Sequence, residues 1–437
     1  MKLPRALAAL SRRQRIAVGT LAALLAVAVA WLSASALLEL RIERALRARV
    51  SARSAPFGFQ LYRLSHQRGL ITGRGTAELR LSVGCSRAAR ERMPVWRVAY
   101  EITHVPLPAR AASFHWSAEL LRAAGVEFAS TTRPRFEGDG EVAYDGTVTT
   151  QLRSAQVQRQ AGQPHVELNQ AGGRLLLRGA ALDLQLRAAS LKLRDAQRGE
   201  FAELENLRIH WRLRDRSIGL GTTRLELGAV HTPSGSAAAL TVTTQGSLVG
   251  DRAELRLRAS AAQITFAGEP FERVLLDAAA SGLHALSLKV LLDQLASSCN
   301  LMLLDDADAA ALHAASGEMF RHGLSLRLSK LEAHGERGML RGDLGVELSP
   351  AATAGPGASV DISSRVRSLG HLDVEGSELA ARLAQAPLIG RFLVPTAQGA
   401  RASYAFDAGV LTVNGRAWNP LLVRMTLNLL QPILNGL

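Results

Sequence analysis

Large rings are scarce in this chain: aromatic residues make up 5% of 437 positions, against 47% hydrophobic residues in all. A sizeable core is therefore available, but it has to be aliphatic, with few rings to act as anchors or stacking platforms. Lysine is nearly absent, at Lys2, Lys192, Lys289 and Lys330 alone, so arginine carries the formal charge of +14. Cysteine occurs twice, at Cys85 and Cys299. Two thiols without matching histidine spacing make no zinc site. In an oxidising compartment they could pair, worth about 4–5 kcal/mol in the chain-entropy picture; the alternative is two unrelated buried thiols.

Chemical motifs are missing as well. The sequence has no Gly-x-Ser-x-Gly elbow, no His-Glu-x-x-His, no phosphate-cradling loop and no dinucleotide fingerprint. The eleven histidines are scattered. His313 and His322 would sit on opposite sides of a helix, while Glu318 and His322 share a face as a solvated pair. Asp305, Asp306 and Asp308 suit the positive end of a helix better than a cation. No catalytic, cofactor-binding or metal site is expected. Nucleic acid is not expected either: past the first 55 residues the arginines alternate with apolar residues, as in Arg208-Ile-His-Trp-Arg212-Leu-Arg214, and no basic tail or reading helix stands out.

One long uncharged run is present, Ile16 to Leu38. As a helix it would reach about 34 Å, enough for a hydrocarbon core of about 30 Å. The run exceeds the usual core of a cleaved signal, although Ser33-Ala-Ser-Ala36 offers small residues near a cut. Five basic residues stand on each side: Lys2, Arg5, Arg12, Arg13 and Arg15 before, and Arg41, Arg44, Arg47, Arg49 and Arg53 after. That count is a tie, and the short leader favours a cytoplasmic N-terminus. The expected layout is residues 1–15 cytoplasmic, 16–38 a transmembrane anchor and 39–55 a helical extension. A β-rich body over 56–349 would follow in the periplasm, then a C-terminal β/helix section over 350–437 packed on it.

From about Phe59 the dominant pattern is alternation with period two, the mark of strands with one apolar face and one wet face. It runs through Thr76–Val83, Ala181–Arg187, Ala189–Arg194, Leu207–Arg214, Thr223–Leu227, Ala253–Arg258 and Leu324–Lys330, separated by turn signals such as Gly172-Gly173 and Gly250-Asp251. Helical spacing replaces it over Leu286–Cys299 and Asp305–Arg321, a helical pair inserted at about 285–322, and again over Glu375–Ala386. Pro350–Gly357 reads as a loop. Ala402–Phe406 and Val410–Val413 return to strand around Asp407-Ala-Gly409. The fold class is mainly β with a few helices: long, mostly antiparallel sheets behind an N-terminal transmembrane helix.

Three short segments carry a resemblance: Tyr62-Arg-Leu-Ser-His-Gln-Arg68-Gly69, Tyr100-Glu-Ile-Thr-His104-Val-Pro106, and Gly409-Val-Leu-Thr-Val-Asn414-Gly415. In order they resemble the YdgA-like family of bacterial envelope proteins, which carry a domain of unknown function. The resemblance implies an inner-membrane-anchored periplasmic protein and supplies no catalytic residue. His104 is expected to cap a turn, and Asn414-Gly415 to form a turn with positive φ. The leading expectation is a non-catalytic structural, interaction or assembly module contacting an envelope protein. The alternative is a carrier of lipid or another hydrophobic ligand in an apolar β-groove, which would need an aliphatic opening of about 15 Å or more, roughly five strand residues.

Overall fold

The computed structural model describes residues 59–418, apart from 70, 82–93, 105–109, 124–125, 129–132, 155–164, 195–200, 233–234, 267–268, 298–305, 351–364, 386–389 and 408, together with residues 40 and 44. The expected anchor, Cys85, Cys299, Pro106, most of the 350–357 loop and the last residues lie outside this set. Among the described residues no helix is long and apolar enough to cross a membrane.

The chain opens with strands β1 (Phe59–Gln67), β2 (Thr72–Leu81), β3 (Val95–Thr103), β4 (Ala112–Ala123), β5 (Val126–Glu127), β6 (Arg135–Val142) and β7 (Val148–Ser154). Next come β8 (His165–Asn169), β9 (Gly172–Arg178), β10 (Ala181–Arg194), β11 (Phe201–Asp215), β12 (Leu220–Thr232), β13 (Gly235–Val249), β14 (Arg252–Phe266) and β15 (Glu269–His284). Helices α1 (Ala285–Ser297) and α2 (Asp306–His322) interrupt the strands where helical spacing was expected. Strands β16 (Leu324–Gly335), β17 (Gly338–Leu348) and β18 (Val366–Glu375) lead to α3 (Ser377–Ala384) and a short turn of 3₁₀ helix at Gly390–Phe392. The last strands are β19 (Val394–Thr396), β20 (Gly399–Asp407), β21 (Val410–Val413) and β22 (Arg416–Ala417).

All of these strands belong to one sheet, not several. Each long strand pairs antiparallel with the next in the chain, while short β5, β8 and β19 extend along β4, β10 and β20. Hairpins pass the register from strand to strand, so one set of side chains stays on one face throughout. The wet face carries the row Arg74, Glu101, His115, Asp139, Gln151, Arg174, Gln185, His210, Arg224, Thr243, Arg258 and Asp277, each directly opposite the next. Arg74–Glu101 at 3.0 Å and Arg258–Asp277 at 3.1 Å are cross-strand ion pairs within it. Such exposed pairs add little stability each, but they keep the face wet and the register single.

On the other face, six neighbouring strands share an irregularity. Alternation places Leu182, Leu184, Leu186 and Ala188 of β10 on the apolar side, yet the next apolar residue is Leu191, so Ala189 and Ser190 both point outward. The same skip occurs at Glu205-Asn206, Gly228-Ala229, Ala238-Ala239, Ala262-Gln263 and Glu272-Arg273. The register puts all six skips at one level across the sheet. Asn206, Ala239 and Arg273, on alternate strands, have φ of 51°, 50° and 49°. A left-handed residue inside a strand turns the pleat and bends the chain. The inner residues at this level, Ala188, Leu227 and Ala261, are buried, while Ala189, Asn206, Gly228, Ala239, Ala262 and Arg273 are exposed. The sheet is therefore creased with its apolar side concave. Gly228 is small for a local reason: a Cβ there would lie 2.9 Å from the Asn206 amide nitrogen. The alternating runs Ala181–Arg187 and Ala189–Arg194, separate in the sequence, are thus one strand bent at the crease.

Toward β1 the apolar face is filled by rings lying over cross-strand glycines. Trp116 covers Gly138 and donates its indole N–H to Thr150 Oγ1 at 2.8 Å, and Phe114 covers Gly140. A Cβ at Gly138 would meet the Gln151 carbonyl oxygen at 2.4 Å and the Trp116 ring at 2.5 Å. Gly138→Ala is expected to cost about 1–3 kcal/mol through overpacking. Gly317→Ala, in the middle of α2 where a Cβ meets nothing within 4 Å, should gain about 0.5–1 kcal/mol. Denaturant unfolding of both variants, with unchanged m-values, checks the pair.

Candidate functional site: an apolar trough

The crease makes a trough with two walls. One wall is the long arm of β10–β15, the other the short arm, where Leu191, Leu204, Val230, Ala237, Ile264 and Phe271 lie opposite one another in sequence across the strands. Five strand spacings of ~4.8 Å give a length of about 24 Å. The lining is aliphatic apart from Phe271 and, higher on the long arm, Trp211. Thr223 and Thr244, also on the long arm, bond each other through their hydroxyls at 2.6 Å and so mask their own polarity.

Besides Ala188, Leu227 and Ala261 on the floor of the crease, buried side chains gather in three clusters around this trough. At the β10 end, Leu120 and Phe128 are buried against Leu191 and Trp96. At the β15 end, Leu379 and Ala380 of α3 pack with Val374 and Ala400 against Phe271 and Leu340. Above the long arm, Leu288 of α1 and Met319 of α2 close over Ile218, Leu220, Ala253 and Leu283. Between these clusters the wall residues remain half-buried. Farther along the same face Leu248 and Leu326 are each 45% exposed. Among the described residues, apolar side chains are held there at partial exposure by cross-strand neighbours, with no second layer over them.

Arg365 fixes the cap over the long arm. It donates to the carbonyl oxygens of Phe320, near the end of α2 (Nη2, 2.5 Å), and Ser349, just past β17 (Nε, 2.9 Å). Burial pulls its pKa below the ordinary arginine value. At the same corner His322 bonds Glu318 at 3.0 Å, as the helical spacing implied, and its ring stacks on His284 with centroids 4.9 Å apart.

The residues singled out in the sequence lie away from the trough. Tyr62 is the bulged residue of β1 between Leu61 and Arg63. Arg68 is exposed just beyond β1. A Cβ on Gly69 would lie 2.1 Å from the Thr72 carbonyl oxygen, so the first turn needs glycine. His104 is fully buried beside that turn, and its backbone N–H reaches the Ile71 carbonyl at 2.7 Å. Gly409, Asn414 and Gly415 have φ of 81°, 51° and 74° and form the two last turns. Asn414 accepts a hydrogen bond from the Ser403 N–H at 2.8 Å and donates to the Phe392 carbonyl at 2.7 Å. These groups mark opposite ends of the pairing order and are not brought together.

A cleft of about 750 Å³ on the wet face contains His115, Asp139, Glu101 and Glu141. His115 Nδ1 is 2.8 Å from Asp139 Oδ1, but both side chains are more than half exposed. The pair repeats the cross-strand pattern of His371–Asp343. Among the described residues no three His, Cys, Asp or Glu side chains converge as metal ligands.

Among the described residues these features define a class: an all-antiparallel meander bent into an apolar trough. The chain belongs to a family described as bacterial protein of unknown function (DUF945), which matches residues 16–370. No curated protein and no solved structure matches it.

Arg365→Ala removes a charged donor from two carbonyls and is expected to cost about 1.5–3 kcal/mol. Hydrogen exchange in α2 should rise more than in β11–β13; equal change in both would assign Arg365 no special hold on the helix.

Proposed function

We propose that this protein is a non-catalytic carrier that shelters a phospholipid acyl chain in its trough, tethered to a bacterial inner membrane by residues 16–38 with its body in the periplasm. The observation that carries the reading is the concave aliphatic face of β10–β15, bent inward and left half-buried between three separate clusters. Its length of about 24 Å passes the roughly 15 Å required of a ligand groove. Burying methylenes there gains about 0.8 kcal/mol each, with no polar partner demanded in return. The net charge of +14 suits anionic headgroups. The anchor and the YdgA-like resemblance supply the membrane placement in this proposal. A module that only contacts an envelope protein is the competing reading, favoured by strand β1, which among the described residues pairs on one side alone.

The test is photo-crosslinking in bacterial cells grown on radioactive phosphate, using the full chain. A photoreactive residue replaces either Val242, on the trough wall, or Thr243, the next residue on the wet face. Phosphate label on the protein from position 242 and not 243 is the expected result. A protein-sized adduct at 242, or equal labelling at both, would replace the carrier by the contact module.

A further inference from the structure

The trough is closed at both ends, and an end-stopped groove limits what lies in it. We infer that it measures acyl chain length, an inference that rests on the carrier reading above. At one end Leu191 is backed by Leu120 and Phe128. At the other, Phe271 packs against the buried cluster of Val374, Leu379, Ala380 and Ala400, in which Leu379 of α3 is 2% exposed. The strands that carry these stops, β10 and β15, stand about 24 Å apart along the crease, more than the ~15 Å depth of a single leaflet, half of the ~30 Å core. An extended chain of a membrane phospholipid fits with its long axis across the strands.

Small inner residues stand at Ala188 on β10, Ala237 on β13, and Ala259 and Ala261 on β14, among leucine, isoleucine and valine on the strands between and beside them. The occupant is the acyl chain of an anionic phospholipid: the lining offers only dispersion and desolvation, and the net positive charge of the protein attracts the headgroup. Each methylene taken into the trough strengthens binding about fourfold. Once the chain end meets Leu191 or Phe271, an added methylene gains nothing. Affinity then rises with chain length and levels off.

The experiment measures displacement of a fluorescent fatty acid from the full chain, held in an amphipathic polymer, by lysophosphatidylglycerols of graded chain length. Wild type should show a steep rise and a plateau. Ala261→Phe, which fills the floor one strand short of the Phe271 stop, should bring the plateau several carbons earlier. Ala262→Phe, one residue on and facing outward, should leave it in place. Ala237→Phe, on the opposite wall, serves if Ala261→Phe does not fold. An affinity that climbs without levelling in wild type, or a plateau that stays put in a folded inner variant, overturns the length limit and leaves the carrier standing. Failure of every lysolipid to displace the probe overturns the carrier as well.

Discussion

Pairing between chain neighbours is the constraint on which everything else depends. Most strands take their register from the one before through a short connection, with α1 and α2 between β15 and β16 the main exception, and a slip of one residue would turn leucines into water and arginines inward. The wet row from Arg74 to Asp277 and the apolar rows behind it are two consequences of that single inheritance. Because the handover is unbroken from β9 to β18, the apolar side is continuous, and a continuous apolar side needs something to cover it.

Ordinary β proteins cover such a face with a second sheet. Among the described residues the cover here is partial. Rings over glycines fill the first strands, α1 and α2 close over the long arm, and α3 closes one end. What remains is the crease. Six adjacent strands each give up one step of alternation at the same level, and left-handed Asn206, Ala239 and Arg273 turn the backbone there. A non-glycine residue in that conformation carries a local cost, so its recurrence on alternate strands ties the bend to the shape of the trough. The elements that cap the trough are hinged differently from the elements that form it. Arg365 holds α2 through carbonyl oxygens at its end, whereas the walls are held by backbone ladders along their whole length.

The sequence alone determined the broad architecture, because alternation and helical spacing are local properties written in consecutive residues. The strand at Thr76–Val83, the helices near 286–299 and 305–321, and the turn at Asn414-Gly415 could each be read from a handful of neighbours. Aliphatic composition likewise dictated the character of the core. The skip at Ala189-Ser190 lies where the alternating runs Ala181–Arg187 and Ala189–Arg194 stand apart in the sequence, although both belong to one strand.

Only the tertiary structure decided that the six skips stand at one level. That alignment depends on registers set by hairpins far apart in the chain, and no window of sequence contains it. The same holds for the end stops: Leu191 meets Phe128, and Phe271 meets the cluster around Leu379, across separations that local pattern does not encode. Hydrophobicity is non-directional, so the sequence could say that these residues would be buried but not against what. Long-range pairing supplied the direction, and with it the difference between a filled core and an open trough.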